Sequence, residues 1–217
     1  MSLTMKVKKY YLSLGPPSFF HKRRFDVMNK FLDDFIHTKK PLRILEVGCC
    51  LGRDFAQFIP DSELLHYYGI DTNTDVNFLP DFKNITRIKA DARCIPYPNK
   101  FFDIVVSIGV LEHIEPIEDL CKIISEIERV GKNYCVVVPA ITTVLEPHTT
   151  VFLWQLRSNK SHAGLNFFSD GAWCSFSGFK GCRINRFFFI PLLITNTIIT
   201  SPVIDFERES KDLEQKI

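Results

Sequence analysis

The spacing of apolar residues changes period several times along the chain. Over residues 18–38, Phe25, Met28, Phe31, Leu32, Phe35 and Ile36 recur three and four apart with charges between them, which predicts an amphipathic helix. Ser18 is placed to cap that helix and Lys39, Lys40 and Pro41 to end it. Residues 42–47 then form a short apolar run closed by Gly48, the pattern of a strand buried on both faces. Runs of the same kind at His66–Asp71, Ile85–Asp91, Phe102–Gly109 and Tyr134–Ala140 predict further strands. A second helix is predicted over 116–130, with Pro116 at its first position, Ile117, Leu120, Cys121, Ile124 and Ile127 as its apolar stripe, and Gly131 closing it. After residue 140 the pattern loosens. Ser169 and Asp170 can start a short helix ending at Gly178, and 179–201 can supply one or two last strands. Strands alternating with helices imply an α/β fold whose parallel sheet carries helices on both faces.

Open α/β sheets bind ligands at the carboxyl ends of their strands, so the residues there carry the chemistry. The first strand ends in Glu46 and Gly48, followed by Gly52 and Arg53, and glycine lets the backbone bend and approach a ligand closely. The second ends in Gly69, Ile70 and Asp71, an acid about 20 positions beyond the glycine turn, where a carboxylate can accept from both hydroxyls of a ribose. A dinucleotide fingerprint needs three glycines, but its second and third positions hold Cys50 and Arg53. The pattern therefore disfavours a nicotinamide-dependent oxidoreductase and suits a nucleoside with a compact charged tail.

Glu46, Gly48, Gly52 and Arg53 resemble the first motif of class I S-adenosylmethionine-dependent methyltransferases, and Asp71 matches their ribose-binding acid. The stretch from Lys89 through Asp91, Pro96 and Pro98 to Asp103, and that from Ser107 through Leu111, Glu112 and His113 to Ile114, resemble the type 11 methyltransferase family. The similarity runs over residues 42–140. It implies a Rossmann-like, doubly wound, mostly parallel seven-stranded sheet with one late antiparallel strand. It also implies S-adenosylmethionine as cofactor and S-adenosylhomocysteine as product. Glu46, Gly48, Cys50 and Gly52 would face the methionine part, Asp71 with Thr72 the ribose, and Asp91 with the backbone of Ala92 the adenine. Ile70 with Cys94 or Ile95 would sandwich the ring, and the sulfonium would lie near Ser107 and Gly109. Family members usually have glycine where this chain has Cys50, which bears on affinity. Singly, each position also has a purely structural reading: Glu46 can pair with a helix N-terminus, the glycines can serve only the turn, and Asp71 and Asp91 can cap strand ends. Asp103 is read as a loop-fixing residue at a strand start.

Methyl transfer from a sulfonium is a direct displacement, so the protein mainly aligns the acceptor and excludes water. A base is needed only when the acceptor must lose a proton. His113, after the fourth strand, and His148, in the loop after the fifth, are the catalytic candidates; His113 can equally be a helix-start packing residue and His148 a surface turn beside Pro147. Glu112 can bind substrate or serve only as a first-turn carboxylate. Adjacent Cys49 and Cys50 bridge only with strain, and no third ligand stands near them.

Length and composition narrow the rest. The 217 residues suit one domain, with 1–40 as an N-terminal arm and helix packing on a methyltransferase domain over 41–217. The acceptor region is expected at 141–168, with Phe152, Trp154, His162, Phe167 and Phe168, facing an arm at 5–24 with Tyr10, Tyr11, Phe19 and Phe20. Such aromatics suit an apolar or ring-bearing small molecule, or simply cover the sheet. A net charge of +2 gives no field for nucleic acid. Seven cysteines without a Cys-x-x-Cys pair favour reduced thiols over a zinc site or a disulfide framework, and point to the cytoplasm. The uncharged stretch 187–204 contains Pro191, Asn196 and Pro202, a poor spanning helix; it is read as core strand and tail, with interfacial membrane contact as the other reading. The first residues lack the apolar core of a signal peptide. The chain is thus expected to be an S-adenosylmethionine-dependent methyltransferase acting on a small-molecule, lipid or glycan-intermediate acceptor, without a metal. The alternative is a non-catalytic S-adenosylmethionine-, S-adenosylhomocysteine- or partner-binding module.

Overall fold

A computed structural model describes residues 41–49, 64–72, 85–146, 151–152, 165–190 and 194–202. The helix expected over 18–38 and the aromatic residues of the arm, together with Trp154 and His162, lie outside them. Five parallel strands come first: β1 (Leu42–Val47), β2 (Leu65–Asp71), β3 (Ile85–Lys89), β4 (Phe102–Ile108) and β5 (Gly131–Pro139). A short pair, β6 (Leu145–Glu146) and β7 (Val151–Phe152), which the apolar pattern does not signal, stands apart from them. The chain then returns through β8 (Arg183–Ile190) and β9 (Ile194–Thr200) to complete a seven-stranded sheet of order β3-β2-β1-β4-β5-β9-β8. β9 runs antiparallel to both its neighbours, which is the late reversed strand the family resemblance implies.

The continuous apolar runs follow from burial on both faces. Ile44 and Leu45 on β1, Ile104 and Val105 on β4, and Cys135 and Val136 on β5 are all buried although their side chains alternate sides. On one face Leu45, Val47, Val105, Tyr134 and Val136 meet helix α1 (Ile117–Val130) through Leu120, Ile123, Ile124, Ile127 and Val130. Each such side chain contributes about 1.5–3 kcal/mol on burial. The stripe differs from the expected one at two positions. Ile117 is 43 % exposed and Cys121 is exposed, because the face turned to the sheet repeats at 120, 123, 124, 127 and 130. Gly131 does end the helix, but at φ −98° rather than in the left-handed region, and it already starts β5. Its reason is space: a Cβ there would lie 2.6 Å from Val105 Cγ2 and 2.9 Å from the Asn133 carbonyl oxygen.

The uncharged stretch after residue 187 is explained by topology. β9 is an internal strand, so Thr195, Asn196, Thr197, Ile198, Ile199 and Thr200 are all buried, and a charge there would have no water to solvate it. No helix among the described residues is long and apolar enough to cross a membrane. Asp103 plays the structural part read from its position: Oδ2 accepts from the Arg43 amide at 2.8 Å and Oδ1 from Lys132 Nζ at 2.7 Å, tying the starts of β1, β4 and β5.

Gly131→Ala should destabilise the fold by about 2 kcal/mol, since the clash is partly with backbone that cannot turn away. Denaturant midpoints of the two proteins measure this, and an unchanged midpoint would show that the α1–β5 junction relaxes freely.

Candidate functional site

Where β1 leaves the sheet, Gly48 adopts φ +79°. Its amide and that of Cys49 both donate to the Ile70 carbonyl, at 2.9 and 3.1 Å, so the bend is fastened to β2. A Cβ on residue 48 would stand 2.4 Å from Val110 Cγ2. Glycine is thus required twice, by backbone angle and by the turn that follows β4.

Beside this bend lies a cavity of about 280 Å³. Val47 and Ile70 on the sheet, Val110 and Ile114 on the turn after β4, and Ile123 on α1 form apolar walls. Among the described residues the charged lining is one-sided: Asp71, Asp91, Glu115 and Asp119 stand with one cation, Arg93. The order of strands reverses between β1 and β4, so the cavity sits at the switch point of the sheet, where α/β folds place their ligands.

The structure brings together five of the expected cofactor residues: Gly48, Asp71, Thr72, Asp91 and Ala92 all line the cavity. Cys50 and Gly52 lie outside the described residues, as does His148. Glu46 does not line it. It is 4 % exposed on the opposite side of the sheet from α1, where it accepts from the Tyr67 hydroxyl. The Arg87 guanidinium lies in its field; burial is the larger effect on Arg87 and lowers its pKa, while Cys49 and Glu46 oppose that. Ser107 is buried on the α1 side, level with Val47, and also stays off the cavity wall. Cys94 is exposed, Ile95 is buried in the core cluster that also holds Ile70, and neither is among the residues lining the cavity. His113 sits exposed on a 3-10 turn, Leu111–His113, with Glu112 buried beside it. That turn is gripped from a distance: the Asn166 amide donates to the Glu112 carbonyl at 2.6 Å, and its side-chain Nδ2 donates to those of Leu111 and Ile114.

The loop after β3 is built by contacts the motif alone does not disclose. Asp91 Oδ1 accepts from the Arg93 amide at 2.8 Å, and its carboxylate is forked by Arg93 Nε and Nη2. Arg93 Nη1 continues to Asp119 at 2.6 Å, bridging the loop to α1 across the cavity mouth. Asp91 is held below the ordinary carboxylate range, first by the side-chain hydrogen bonds of Arg93. Both groups are more than 40 % exposed, so solvent screens the pair and it opens readily. Deeper anchors come from α1. Glu126 accepts from the Ile95 amide at 2.7 Å, and Arg129 donates to the carbonyls of Ile95 and Tyr97 at 2.9 and 2.8 Å while pairing with Glu126. Tyr97 and Phe101 stack at 5.1 Å and meet Tyr68 edge-on, which fixes the other side of the loop.

Residues 45–138 match the family model described as a methyltransferase domain. No curated protein matches the sequence significantly. Among solved structures, a SAM-dependent methyltransferase from Aquifex aeolicus is 18 % identical with a TM-score of 0.59, over 92 % of this chain and 99 % of that one. The 1,6-didemethyltoxoflavin-N1-methyltransferase of Burkholderia thailandensis, with bound 1,6-didemethyltoxoflavin and S-adenosylhomocysteine, is 13 % identical with a TM-score of 0.55, over 76 % and 72 %. The [4+2]-cyclase SpnF is 16 % identical with a TM-score of 0.52, over 74 % and 75 %. Identities this low bear on the fold and not on the reaction.

Glu126 offers a test of the loop anchor. Its carboxyl is held below the usual range, first by hydrogen bonds from Arg129 and further by the Ile95 amide. Its stabilisation is therefore complete above the unfolded value of about 4.3 and is lost as pH falls through the lower folded value. Melting temperature should drop between about pH 5 and pH 3, and Glu126→Gln should flatten part of that drop. Superimposable profiles would remove Glu126 from the acid response.

Proposed function

We propose that this chain, whose residues 45–138 form a methyltransferase domain of the class I, type 11 kind, binds S-adenosylmethionine beside Gly48 and passes its methyl group to a small-molecule, lipid or glycan-intermediate acceptor. The observation that carries the reading is the charge of the cavity's described lining: four carboxylates and one guanidinium among apolar walls. The methyl donor is a nucleoside with a net positive tail. A dinucleotide would instead bring two phosphates among those carboxylates, at a cost of about 1–4 kcal/mol for each like pair 4 Å apart. The glycine bend supports the same choice, since it offers close backbone approach without the further glycines a pyrophosphate needs.

In this reading Asp71 and Thr72 hold the ribose hydroxyls, and Asp91 with the Ala92 amide holds the adenine edge. Arg93 yields its place on Asp91 at little cost, being solvent-exposed. The Gly48 bend and the turn at Val110 enclose the methionine part, with Ile114 and Ile123 excluding water from above. When bound, the sulfonium supplies an already activated methyl group for direct displacement. What the chain adds is alignment, and the Asn166 grip on the 111–114 turn serves that by fixing the wall on the acceptor side. His113 and His148 are the proposed proton acceptors where the acceptor must lose one. The described lining offers carboxylates and Arg93, while His148 lies outside the described residues; the second reading is a binding module without turnover.

S-adenosylhomocysteine at about 100 times its Kd should raise the melting temperature by roughly 5–10 °C, and NADH should leave it unchanged. Asp71→Ala should abolish the shift; a shift of full size in that variant would take Asp71 out of the site. Labelled methyl groups from S-adenosylmethionine should then appear in a component of cell extract. Binding without transfer to any fraction would establish the module and overturn the enzyme.

A further inference from the structure

Two thiols meet in the segment between α1 and β8, outside the cavity lining. Cys174 lies on α2 (Asp170–Ser175) and Cys182 just before β8, and their Sγ atoms are 3.0 Å apart, about 1 Å more than a disulfide bond. The approach is imposed by packing on both flanks. Trp173 is fully buried against Phe168 and Phe176. Phe179 is fully buried against Tyr134, with ring centroids 5.1 Å apart. Gly178 lets the intervening turn lie on α1, where a Cβ would meet the Ile124 carbonyl oxygen at 2.7 Å, and Gly181 turns the chain back at φ +77°. The Cys182 amide donates to the Phe179 carbonyl at 3.0 Å, closing the turn. Both cysteines are partly exposed, so a small reagent can reach them.

We propose that Cys174 and Cys182 are a site of reversible oxidative modification, closing to an intramolecular disulfide by exchange with a small-molecule disulfide such as oxidised glutathione. The Cys174 thiolate attacks one sulfur of the reagent, forming a mixed disulfide and releasing one thiolate. Cys182 then gives up its proton and attacks the Cys174 sulfur, expelling the second thiolate. The balance is two protein thiols and one small disulfide in, one protein disulfide and two small thiols out. Burial, the largest effect, pushes the Cys182 thiol up to about 12, which makes it the poorer first attacker. The exposed Cys94 and Cys121 can form mixed disulfides but have no such neighbour shown against them, and Cys135 is buried with its thiol pushed up to about 12.

The bond would add a covalent tie to the polar contacts by which Asp170 joins α2 to the sheet, an exposed one to Arg186 on β8 at 2.7 Å and a part-buried one to Thr197 on β9 at 3.1 Å. The segment entering α2 is the one whose Asn166 grips the turn at the cavity. The inference stands apart from the cofactor reading and survives its failure.

The test treats the full chain with oxidised glutathione, quenches with acid and maps its peptides by mass. Expected are loss of two hydrogens, a linked Cys174–Cys182 peptide, and a melting temperature higher by roughly 5 °C, all reversed by dithiothreitol. Cys182→Ser should instead hold glutathione on Cys174, the trapped first intermediate, and Cys174→Ser should give no linked peptide. A wild-type chain that carries glutathione on Cys174 without closing the bridge would overturn the proposal, as would a Cys174 link to any other cysteine.

Discussion

A side chain at residue 48 would need φ +79° and would place its Cβ within 2.4 Å of Val110. That one exclusion organises the ligand side of the molecule. Because the β1 bend carries no side chain, the turn after β4 can close over it, and the two backbones leave the cavity between them. The same economy of space recurs at Gly69, where a Cβ would collide with Cys49 Sγ at 2.8 Å. The residue after the bend therefore tucks its thiol over β2, and the bend is held both by its hydrogen bonds to Ile70 and by packing beneath. Interiors at crystal-like density do not stretch to admit a methyl group, so these close approaches fix the shape of the cavity more firmly than any single hydrogen bond.

Polar contacts then set the positions of the loops that the sheet leaves free. They differ in worth according to burial. The Arg93 fork on Asp91 is well exposed and holds only loosely. Glu126 and Arg129 are mostly covered and satisfy backbone groups of the loop as well as each other. Removing one would leave buried partners without hydrogen bonds, at a cost of about 1–3 kcal/mol. The loop carrying Asp91 and Ala92 is thus fixed at its base by α1 and released at its tip.

Much of this was legible in the residues themselves, for a physical reason. Strands buried on both faces leave apolar runs, which located β1, β4 and β5 to within a few residues, while the edge strand β3 is half-exposed; a ligand in such a sheet sits at its strand ends. The motif order pointed to Gly48, Asp71 and Asp91 at those ends. What stayed hidden depends on tertiary contact. Nothing in the sequence ties Glu126 and Arg129 to Ile95, Asn166 to the 111–114 turn, or Cys174 to Cys182, because each pairing is made by packing and not by local pattern. Glu46 shows the reverse case. The resemblance assigns it to the methionine end, whereas its parity on β1 puts its carboxylate on the face away from α1 with Tyr67. The uncharged stretch after 187 was ambiguous because an internal strand and a membrane segment share one requirement, the absence of water.

A fold of this kind does not choose its reaction; the likeness extends to a protein named as a cyclase as readily as to methyltransferases. What narrows the chemistry is the sign of the charge around the cavity. Among the described residues, carboxylates gathered beside the apolar walls of the cleft repel one another and favour a cation, and Arg93 lies across two of them, Asp91 and Asp119. A ligand that brings its own positive charge relieves that arginine of its duty on Asp91 and meets the remaining acids on favourable terms. A phosphate-bearing ligand would have to recruit cations that the described wall, apart from Arg93, does not supply. The excess of carboxylates over cations is thus a property of these particular described side chains and not of the sheet that carries them.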